Sequence, residues 1–183
     1  MDNYFDIVLK PDAEMRDNVL LNMVYAKLHK ALFDLKSTRL GISFSDVDMH
    51  LGTRLRLHGQ ADLLNQLGVT WLGNLSGYCT VSVVCKVPES VASHRTVSRK
   101  QLNMTHAKMN RLIKRGSLDT ADVGRYKEKM FTQKLIAPFL ELVSASNGER
   151  YRRNIQLGVI QTTPSVGEFD HFGLSRTATI PWF

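Results

Sequence analysis

One histidine and two serines could supply proton-transfer and hydroxyl chemistry, although none of them belongs to a recognised catalytic motif. His29 lies beside Tyr25 and Phe33 in a segment with helical periodicity, and an imidazole there can accept a proton near neutral pH. Ser144 and Ser146 border a predicted turn, where a serine usually bonds only to its own backbone. Taken alone, His29 is interpreted as an ordinary histidine at the boundary of a helix core, and catalysis is the less favoured alternative.

Basic residues are concentrated in the segment 90–118, which contains no Asp or Glu. The chain has 24 Lys and Arg against 17 Asp and Glu, so removing the seven in this segment leaves 17 against 17 and no net charge. The seven are Arg95, Arg99, Lys100, Lys108, Arg111, Lys114 and Arg115. A solvated basic face usually includes carboxylate partners at i, i+4, and their absence favours contact with a polyanion.

The second half of this segment predicts an amphipathic helix over about residues 103–115. Met109, Leu112 and Ile113 recur at i, i+3, i+4 and form an apolar stripe. Gly116 follows at the position of a C-capping glycine. The opposite face carries the basic side chains Lys108, Arg111, Lys114 and Arg115.

Tyr151 is enclosed by the arginines at positions 150, 152 and 153. An aromatic ring between arginines is typical of a site where a base stacks beside phosphate contacts. An edge strand with a buried tyrosine and exposed arginines fits the same residues, so the pattern leaves two interpretations open.

Hydrophobic patterning in the first half of the chain predicts the order β-α-β-β-α-β, which is the ferredoxin-like arrangement shared with many RNA-binding modules. The predicted strands are 4–9, 40–47, 53–57 and 79–87, and the predicted helices are 17–35 and 60–67. After Pro88 the composition becomes polar and basic. We therefore predict an α+β protein with a ferredoxin-like domain at 1–90 and a smaller α+β domain at 91–183 that carries the basic helix.

The second half predicts one further helix, which begins at Ser117 or Asp119 and runs to about Ile136. Three short strands are predicted at 139–143, 150–157 and 169–174, and the turn 146–148 joins the first two. The apolar end, Ile180 to Phe183, is predicted to dock on the rest of the protein.

Several classes of function are disfavoured by what the sequence lacks. Its apolar runs are too short to span a membrane, and its opening has no cationic signal-peptide region, which predicts a cytoplasmic protein. Cys79 and Cys85 lie on one predicted strand and are interpreted as core thiols. The sequence contains no P-loop and no dinucleotide-binding motif, so no cofactor is expected. Its histidines lack the paired spacing of a zinc site, so no metal is expected either. If RNA is cut, the simplest nucleophile is its own 2′-hydroxyl.

Segments spread over nearly the whole chain resemble one family, the CRISPR repeat-processing endoribonucleases of the type I-F systems. In order, they are MDNYFDIVLKPD, KLHKAL, GISFSDVD, VSRKQ, RLIKR, PFLELVSASNGERYRR and FGLSR with the closing IPWF. The resemblance implies a ferredoxin-like domain, and a C-terminal domain whose arginine-rich helix lies along the major groove of the CRISPR repeat hairpin. It also implies metal-independent cleavage at the 3′ foot of the stem. The resemblance further implies that the protein stays bound to the cleaved RNA in a type I-F surveillance complex, beside the backbone subunits and the other subunits of that complex.

The resemblance assigns roles to the matching residues. His29 matches the histidine that takes the proton from the 2′-hydroxyl upstream of the scissile phosphate, and Ser144 matches the serine that holds this hydroxyl. Attack by the hydroxyl gives a 2′,3′-cyclic phosphate and a 5′-hydroxyl. Arg99 and Gln101 match a base-reading pair, and Tyr151 matches an aromatic residue that stacks under the terminal base pair. The other predicted RNA contacts are Lys108, Arg111, Lys114, Arg115, Ser146, Arg152 and Phe172.

Two departures from the family pattern concern residues near the predicted RNA. Phe172 stands where a well-studied member has a tyrosine, and Lys114 stands where that member has an arginine, which removes a bidentate fork. Phe172 keeps open the alternative of a hairpin-binding subunit with weak or lost catalysis. A basic ferredoxin-like protein of ribosomal type is a third hypothesis, and it predicts no preference for a repeat hairpin.

Overall fold

A computed structural model describes residues 1–101, 104–135, 137–144 and 146–183. The first half alternates strands and helices as the hydrophobic pattern predicts. Its elements are β1 (Asn3–Leu9), α1 (Asp17–Leu35), β2 (Gly41–Phe44), β3 (Arg54–Gly59), α2 (Ala61–Leu67), β4 (Cys79–Val81) and β5 (Cys85–Lys86).

β1 is the central strand of the first sheet, in which the strand order is β2-β3-β1-β4. Each neighbouring pair is antiparallel, and β1 pairs with β3 over six residue pairs, from Asn3 opposite Gly59 to Val8 opposite Arg54. β1 and β2 are joined by α1 with β3 between them, which is the split β-α-β arrangement of a ferredoxin-like fold. The predicted α+β class is confirmed.

The strand predicted at 79–87 is wrong in one respect, because it is interrupted. β4 and β5 both pair with β1, but residues 82–84 between them are not in strand conformation. Ser82 causes a local distortion, since its Oγ accepts a hydrogen bond from the Asp6 backbone N–H at 2.9 Å. A serine side chain that competes for a backbone donor in this way breaks a ladder without changing the hydrophobic pattern.

A 3-10 helical segment at Thr70–Tyr78 was not predicted from the sequence. Gly73 interrupts it with a φ of 53°, so its residues do not repeat with a single helical period. Leu72 and Leu75 are buried in the core, and Lys27 of α1 donates hydrogen bonds to the Leu72 carbonyl and to the Asn74 side chain. The segment therefore depends on contacts with α1 rather than on its own pattern.

The second half contributes a second sheet, two helices and a C-terminal strand. Its elements are β6 (His94–Arg95), β7 (Val97–Arg99), α3 (His106–Lys114), α4 (Val123–Leu135), β8 (Phe139–Val143), β9 (Arg150–Leu157) and β10 (Ile180–Pro181). A short 3-10 segment at Thr120–Asp122 precedes α4. The antiparallel sheet has the order β7-β9-β8, and β10 pairs with β6.

The strand predicted at 169–174 is wrong, because these residues form a tight loop. The Asp170 carboxylate accepts hydrogen bonds from the backbone N–H groups of Phe172 and Leu174, both at 2.9 Å. Gly173 has a φ of +68°, where a side chain would be strained and would meet Ile42. An aspartate that bonds to its own following backbone is a turn former, and here it overrides the apolar composition.

The basic helix begins later than predicted. Thr105 is its N-cap and accepts a hydrogen bond from the Lys108 backbone N–H, so α3 starts at His106. The predicted start at position 103 and the predicted end of the next helix at position 136 lie outside the described residues.

One continuous apolar core joins the two sheets. Val97, Leu140 and Ile155 of the second sheet are buried in the same cluster as the strands and α1 of the first half. α1 also contacts β8 directly, because the Asn22 side-chain oxygen accepts a hydrogen bond from the Glu141 backbone N–H. The core thus includes residues from both sides of position 90, and the division into domains 1–90 and 91–183 stays a prediction.

The C-terminal residues dock on the first sheet, as predicted. The guanidinium of Arg56 on β3 lies against the rings of both Tyr4 and Phe183, 4.4 Å and 4.1 Å from their centroids. Arg56 also donates to the Phe183 carbonyl and forms a bidentate ion pair with Asp6. A buried arginine satisfied in this way fixes the position of the chain end against the sheet.

Candidate functional site

His29 is positioned by the packing of α1. The buried side of this helix carries Leu21, Val24, Tyr25, Leu28 and Leu32, which recur at helical spacing against the sheet. His29 follows Leu28 at the edge of this buried face, so its ring is half-buried. The backbone of His29 therefore belongs to a helix that is packed on the core, while its imidazole ring reaches the surface.

The hydrogen bond made by His29 defines the state of its two ring nitrogens. Nδ1 lies 2.8 Å from the backbone carbonyl oxygen of His171. A carbonyl oxygen only accepts hydrogen bonds, so Nδ1 must carry a proton and donate it. In the neutral imidazole this leaves the lone pair on Nε2, which is the atom that can accept a proton from a substrate.

The loop 169–174 that supplies this carbonyl is held by a second residue of α1. The Tyr25 hydroxyl donates a hydrogen bond of 2.8 Å to the Phe172 carbonyl. Burial raises the pKa of Tyr25 well above its ordinary value, so its hydroxyl stays protonated and remains a donor. Two side chains one helical turn apart thus fix two consecutive carbonyls of the loop.

Phe172 forms the floor beneath the imidazole. Its ring is stacked on His29 with centroids 3.6 Å apart and an angle of 10° between the planes. The guanidinium carbon of Arg153 lies 3.4 Å from the centre of the same ring. Two groups at these distances cannot share one face, so the phenylalanine ring is sandwiched between the imidazole and the guanidinium.

An open cleft of about 450 Å³ brings together residues from distant parts of the sequence. It is lined by His29, Arg99, Val143, Ser144, Asn147, Glu149, Tyr151 and Arg153. Four residues singled out in the sequence, His29, Arg99, Ser144 and Tyr151, therefore share this cleft.

Ser144 is held at the cleft by the turn between β8 and β9. Its backbone N–H donates to the Glu149 carbonyl, and its own carbonyl accepts from the Gly148 N–H, both at 2.9 Å. Its hydroxyl lies 3.0 Å from that of Ser146. Ser146 therefore contacts the cleft through Ser144, and the turn predicted at 146–148 is confirmed.

Alternation along β9 divides its arginines between two faces. Tyr151 and Arg153 face the cleft, while Arg152 lies on the other side, where it forms an ion pair of 3.0 Å with Glu141 and covers Phe139. Arg152 lines a separate pocket with residues of α1 and the loop before β3. The structure does not bring this predicted RNA contact to the cleft.

The basic face of α3 is solvent-exposed. Of the predicted apolar stripe, Met109 is buried and Leu112 is half-buried against the protein, whereas Ile113 is exposed. Gln101, near Arg99, is exposed as well. The basic side chains that project into solvent are Lys108, Arg111, Lys114 and Arg115.

Two features are absent from the described part of the chain. Its side chains contain no group of three or more His, Cys, Asp or Glu arranged to hold a metal ion. Its helices include none that is both long and apolar enough to cross a membrane.

Arg153 is the main site residue that the sequence analysis missed. A charged residue inside a strand was expected at the surface, whereas Arg153 is 7% exposed. Its position two residues after Tyr151 was the available signal, because residues i and i+2 of a strand share a face. Asn147 and Glu149 also line the cleft, and nothing in their pattern indicated this.

The fold and the cleft define a ferredoxin-like protein in which an oriented imidazole lies among hydroxyls and cations. The family model described as "CRISPR-associated protein (Cas_Csy4)" matches residues 4–183. The chain therefore belongs to this family of CRISPR-associated proteins.

Two similar proteins have the curated name "CRISPR-associated endonuclease Cas6/Csy4". One is from Escherichia coli (strain UTI89 / UPEC) and is 37% identical over 185 residues, with all of both chains covered. The other is from Pseudomonas aeruginosa (strain UCBPP-PA14) and is 35% identical over 188 residues, again with all of both chains covered. A crystal structure of the CRISPR RNA processing endoribonuclease Cas6b aligns with 98% of this chain and 100% of that one. Its identity of 12% and TM-score of 0.28 are too low to support an argument.

Proposed function

We propose that this protein is a metal-independent endoribonuclease that cuts the stem-loop of a CRISPR repeat at the 3′ base of its stem. The observation that carries the proposal is the hydrogen bond from His29 Nδ1 to a backbone carbonyl, which leaves Nε2 available as a base in a cationic cleft. The names of the two Cas6/Csy4 relatives support the assignment to RNA processing.

In this mechanism His29 Nε2 takes the proton of the 2′-hydroxyl upstream of the scissile phosphate. The 2′-oxygen forms a bond to phosphorus, and the bond from phosphorus to the 5′-oxygen breaks. The 5′-oxygen leaves with the electron pair and takes a proton from water, which gives a 2′,3′-cyclic phosphate and a 5′-hydroxyl. The nucleophile and the phosphate belong to one nucleotide, so positioning supplies much of the rate.

Ser144 is assigned to hold the 2′-hydroxyl, because its own hydroxyl lines the cleft together with His29. Tyr151 supplies an aromatic surface at the same cleft for the terminal base pair of the stem. Arg99 and Gln101 are assigned to base edges, since Arg can bond guanine and Gln can bond adenine bidentately.

The exposed basic face of α3 is assigned to the phosphates of the stem. Lys108, Arg111, Lys114 and Arg115 are all exposed, and no carboxylate occurs in the segment 90–118 to neutralise them. A row of phosphates is the ligand that such a face fits. After cleavage this face would keep the 3′ hairpin bound, and we assign the complex to a type I-F surveillance assembly.

The test is single-turnover cleavage of a repeat stem-loop RNA in EDTA, comparing the wild type with His29→Ala. We expect wild-type cleavage with a 2′,3′-cyclic phosphate end, loss of cleavage in His29→Ala, and similar affinity for the hairpin in both. Cleavage by His29→Ala at the wild-type rate would remove His29 from the mechanism.

A second candidate function is a hairpin-binding subunit without effective catalysis. Phe172 favours it, because the hydroxyl found at this position in a well-studied relative is missing next to His29. Tight and hairpin-specific binding by the wild type, with no cyclic phosphate product, would support this alternative over the enzyme.

A further inference from the structure

Arg153 is a buried cation to which the described residues supply no counter-ion. Its residue is 7% exposed, and among the ion pairs within the described ranges none involves Arg153. Its Nε is buried and has no hydrogen-bond partner there either. The recorded contacts of its guanidinium are with the rings of Phe172 and Tyr151.

This arrangement is unusual energetically. A buried charge that is neither paired nor hydrogen-bonded loses more free energy of solvation than stacking on an aromatic ring returns. The contrast with Arg56 is instructive, since that arginine is equally buried but bonds to Asp6 and to the Phe183 carbonyl. A cation left unpaired beside an open cleft is suited to an anion that enters the cleft.

The position of Arg153 relative to His29 identifies which anion. The two groups lie on opposite faces of Phe172 and both line the cleft. The contacts of 3.6 Å and 3.4 Å add across the ring, so the centre of the imidazole and the guanidinium carbon are roughly 7 Å apart. This span has room for the RNA 2′-hydroxyl at Nε2 of His29 and, beside it, the scissile phosphate that this hydroxyl attacks.

We propose that Arg153 binds a nonbridging oxygen of the scissile phosphodiester and stabilises the negative charge that develops there in the transition state. This inference rests on the proposed function and adds a second catalytic group to it. As the 2′-oxygen bonds to phosphorus, charge increases on the nonbridging oxygens before the 5′-oxygen leaves. A cation that is already held beside the phosphate stabilises this charge without reorganising.

The first test compares Arg153→Met and Arg153→Lys in single-turnover cleavage of the stem-loop RNA. Met keeps most of the volume without the charge, and Lys keeps the charge without the planar stack. We expect Arg153→Met to be slowed about 100-fold and Arg153→Lys to recover part of the rate, by the scale of other transition-state donors. The control is Arg39→Met, which removes one exposed charge at a different pocket and should cleave normally.

The second test separates contact with the phosphate from a merely structural role. Hairpin affinities are measured with uncleavable 2′-deoxy RNA whose scissile linkage is either a phosphodiester or a neutral methylphosphonate. We expect the neutral linkage to weaken binding to the wild type several-fold and to have no further effect on Arg153→Met, because the two changes remove one interaction. Thermal unfolding of each variant checks that it is folded.

The outcomes distinguish the two proposals. If the wild type cuts and Arg153→Met cuts equally fast, or if the methylphosphonate weakens both proteins equally, the role of Arg153 is overturned while the proposed function stands. If the wild type itself gives no cyclic phosphate product, the proposed function fails and the role of Arg153 in catalysis fails with it.

Discussion

The side chain of Phe172 contributes a flat surface against His29 rather than a hydrogen bond. Its ring separates the imidazole of His29 from the guanidinium of Arg153, and its carbonyl is tied to the Tyr25 hydroxyl. The flat face restricts the tilt of the imidazole, while the His171 carbonyl fixes its rotation. Two contacts of different kinds therefore define the direction of the Nε2 lone pair.

Replacing Phe172 by Leu should slow cleavage, because the imidazole loses the flat surface that restricts it while its hydrogen bond remains. We expect a reduction of about tenfold in the single-turnover rate, within the range that misplacement of a catalytic group produces. Phe172→Tyr keeps the ring and is the matched control. A Leu variant as fast as the wild type would show that stacking does not orient His29.

His58 is a second histidine, with a structural role. It is fully buried, and its Nε2 lies 2.8 Å from the Ser43 hydroxyl. Burial chiefly, and the positive charges of Arg56 and the N-terminus secondarily, lower the pKa of His58 from 6.5 to about 3. In the unfolded chain His58 is therefore protonated below about pH 6.5, whereas in the folded chain it stays neutral down to about pH 3.

This difference predicts how stability depends on pH. The stability contributed by neutral His58 is complete above pH 6.5 and is lost as the pH falls toward 3. Between pH 6.5 and 5 the loss should be about 2 kcal/mol. In His58→Gln, which keeps a group that can bond to Ser43 but does not titrate, urea unfolding should show this part of the pH dependence removed. Exposed His50→Gln is the matched control, and a wild-type slope in His58→Gln would contradict the assignment.

At the scale of elements, the proposed function assigns α3 and the loop 169–174 to different parts of RNA recognition. α3 packs through Met109 and leaves its basic side chains in solvent, so it offers charge without a shaped pocket. The loop is fixed by Asp170, by Tyr25 and by His29, so it offers shape without charge excess. We therefore expect α3 to contribute most of the affinity for RNA, and the loop 169–174 to set the orientation of His29.

Alanine at Arg111 or Arg115 should therefore weaken hairpin binding in a manner that depends on salt. Each neutralised phosphate contact releases counterions, so each substitution should reduce the slope of log affinity against log salt by about 1. Arg125→Ala is the control, because this exposed arginine on α4 pairs with Asp122 within its own segment. Unchanged slopes for both α3 variants would place the RNA elsewhere.

The sequence predicted these elements to different degrees, for physical reasons. α1 matches its predicted bounds because its apolar stripe has a single helical period. The loop 169–174 was taken for a strand because Phe169, Phe172 and Leu174 are apolar, whereas hydrogen bonds from Asp170 decide its shape. Arg153 was missed because its burial depends on a ring 19 positions further along the chain.

At the scale of the whole molecule, the C-terminal residues are held against the first sheet through Arg56 of β3. Phe183 is 40% exposed, yet it covers Arg56, contacts Tyr4 edge-on at 5.0 Å and lies near His58. Arg56 is in turn the partner of Asp6 on the central strand. A terminal side chain thus shields a buried ion pair from water.

Phe183→Ala should therefore cost more stability than its exposure suggests. We expect a loss of about 1–2 kcal/mol, made up of the cation–π and ring contacts together with better access of water to the ion pair. The measurement is chemical unfolding at neutral pH. Val159→Ala, at a residue that is 89% exposed, is the control and should lie within about 0.5 kcal/mol of the wild type.

His29 and the carbonyl that orients it are separated by 142 positions along the chain. At ordinary elongation rates of about 5–20 residues per second, a ribosome makes the imidazole roughly 7–30 s before it makes the acceptor. Throughout that interval a growing polypeptide carries His29 without the carbonyl that orients its ring. If His29 is the base proposed above, a product of synthesis that stops before position 171 would carry this imidazole in an unoriented form and would cut RNA poorly.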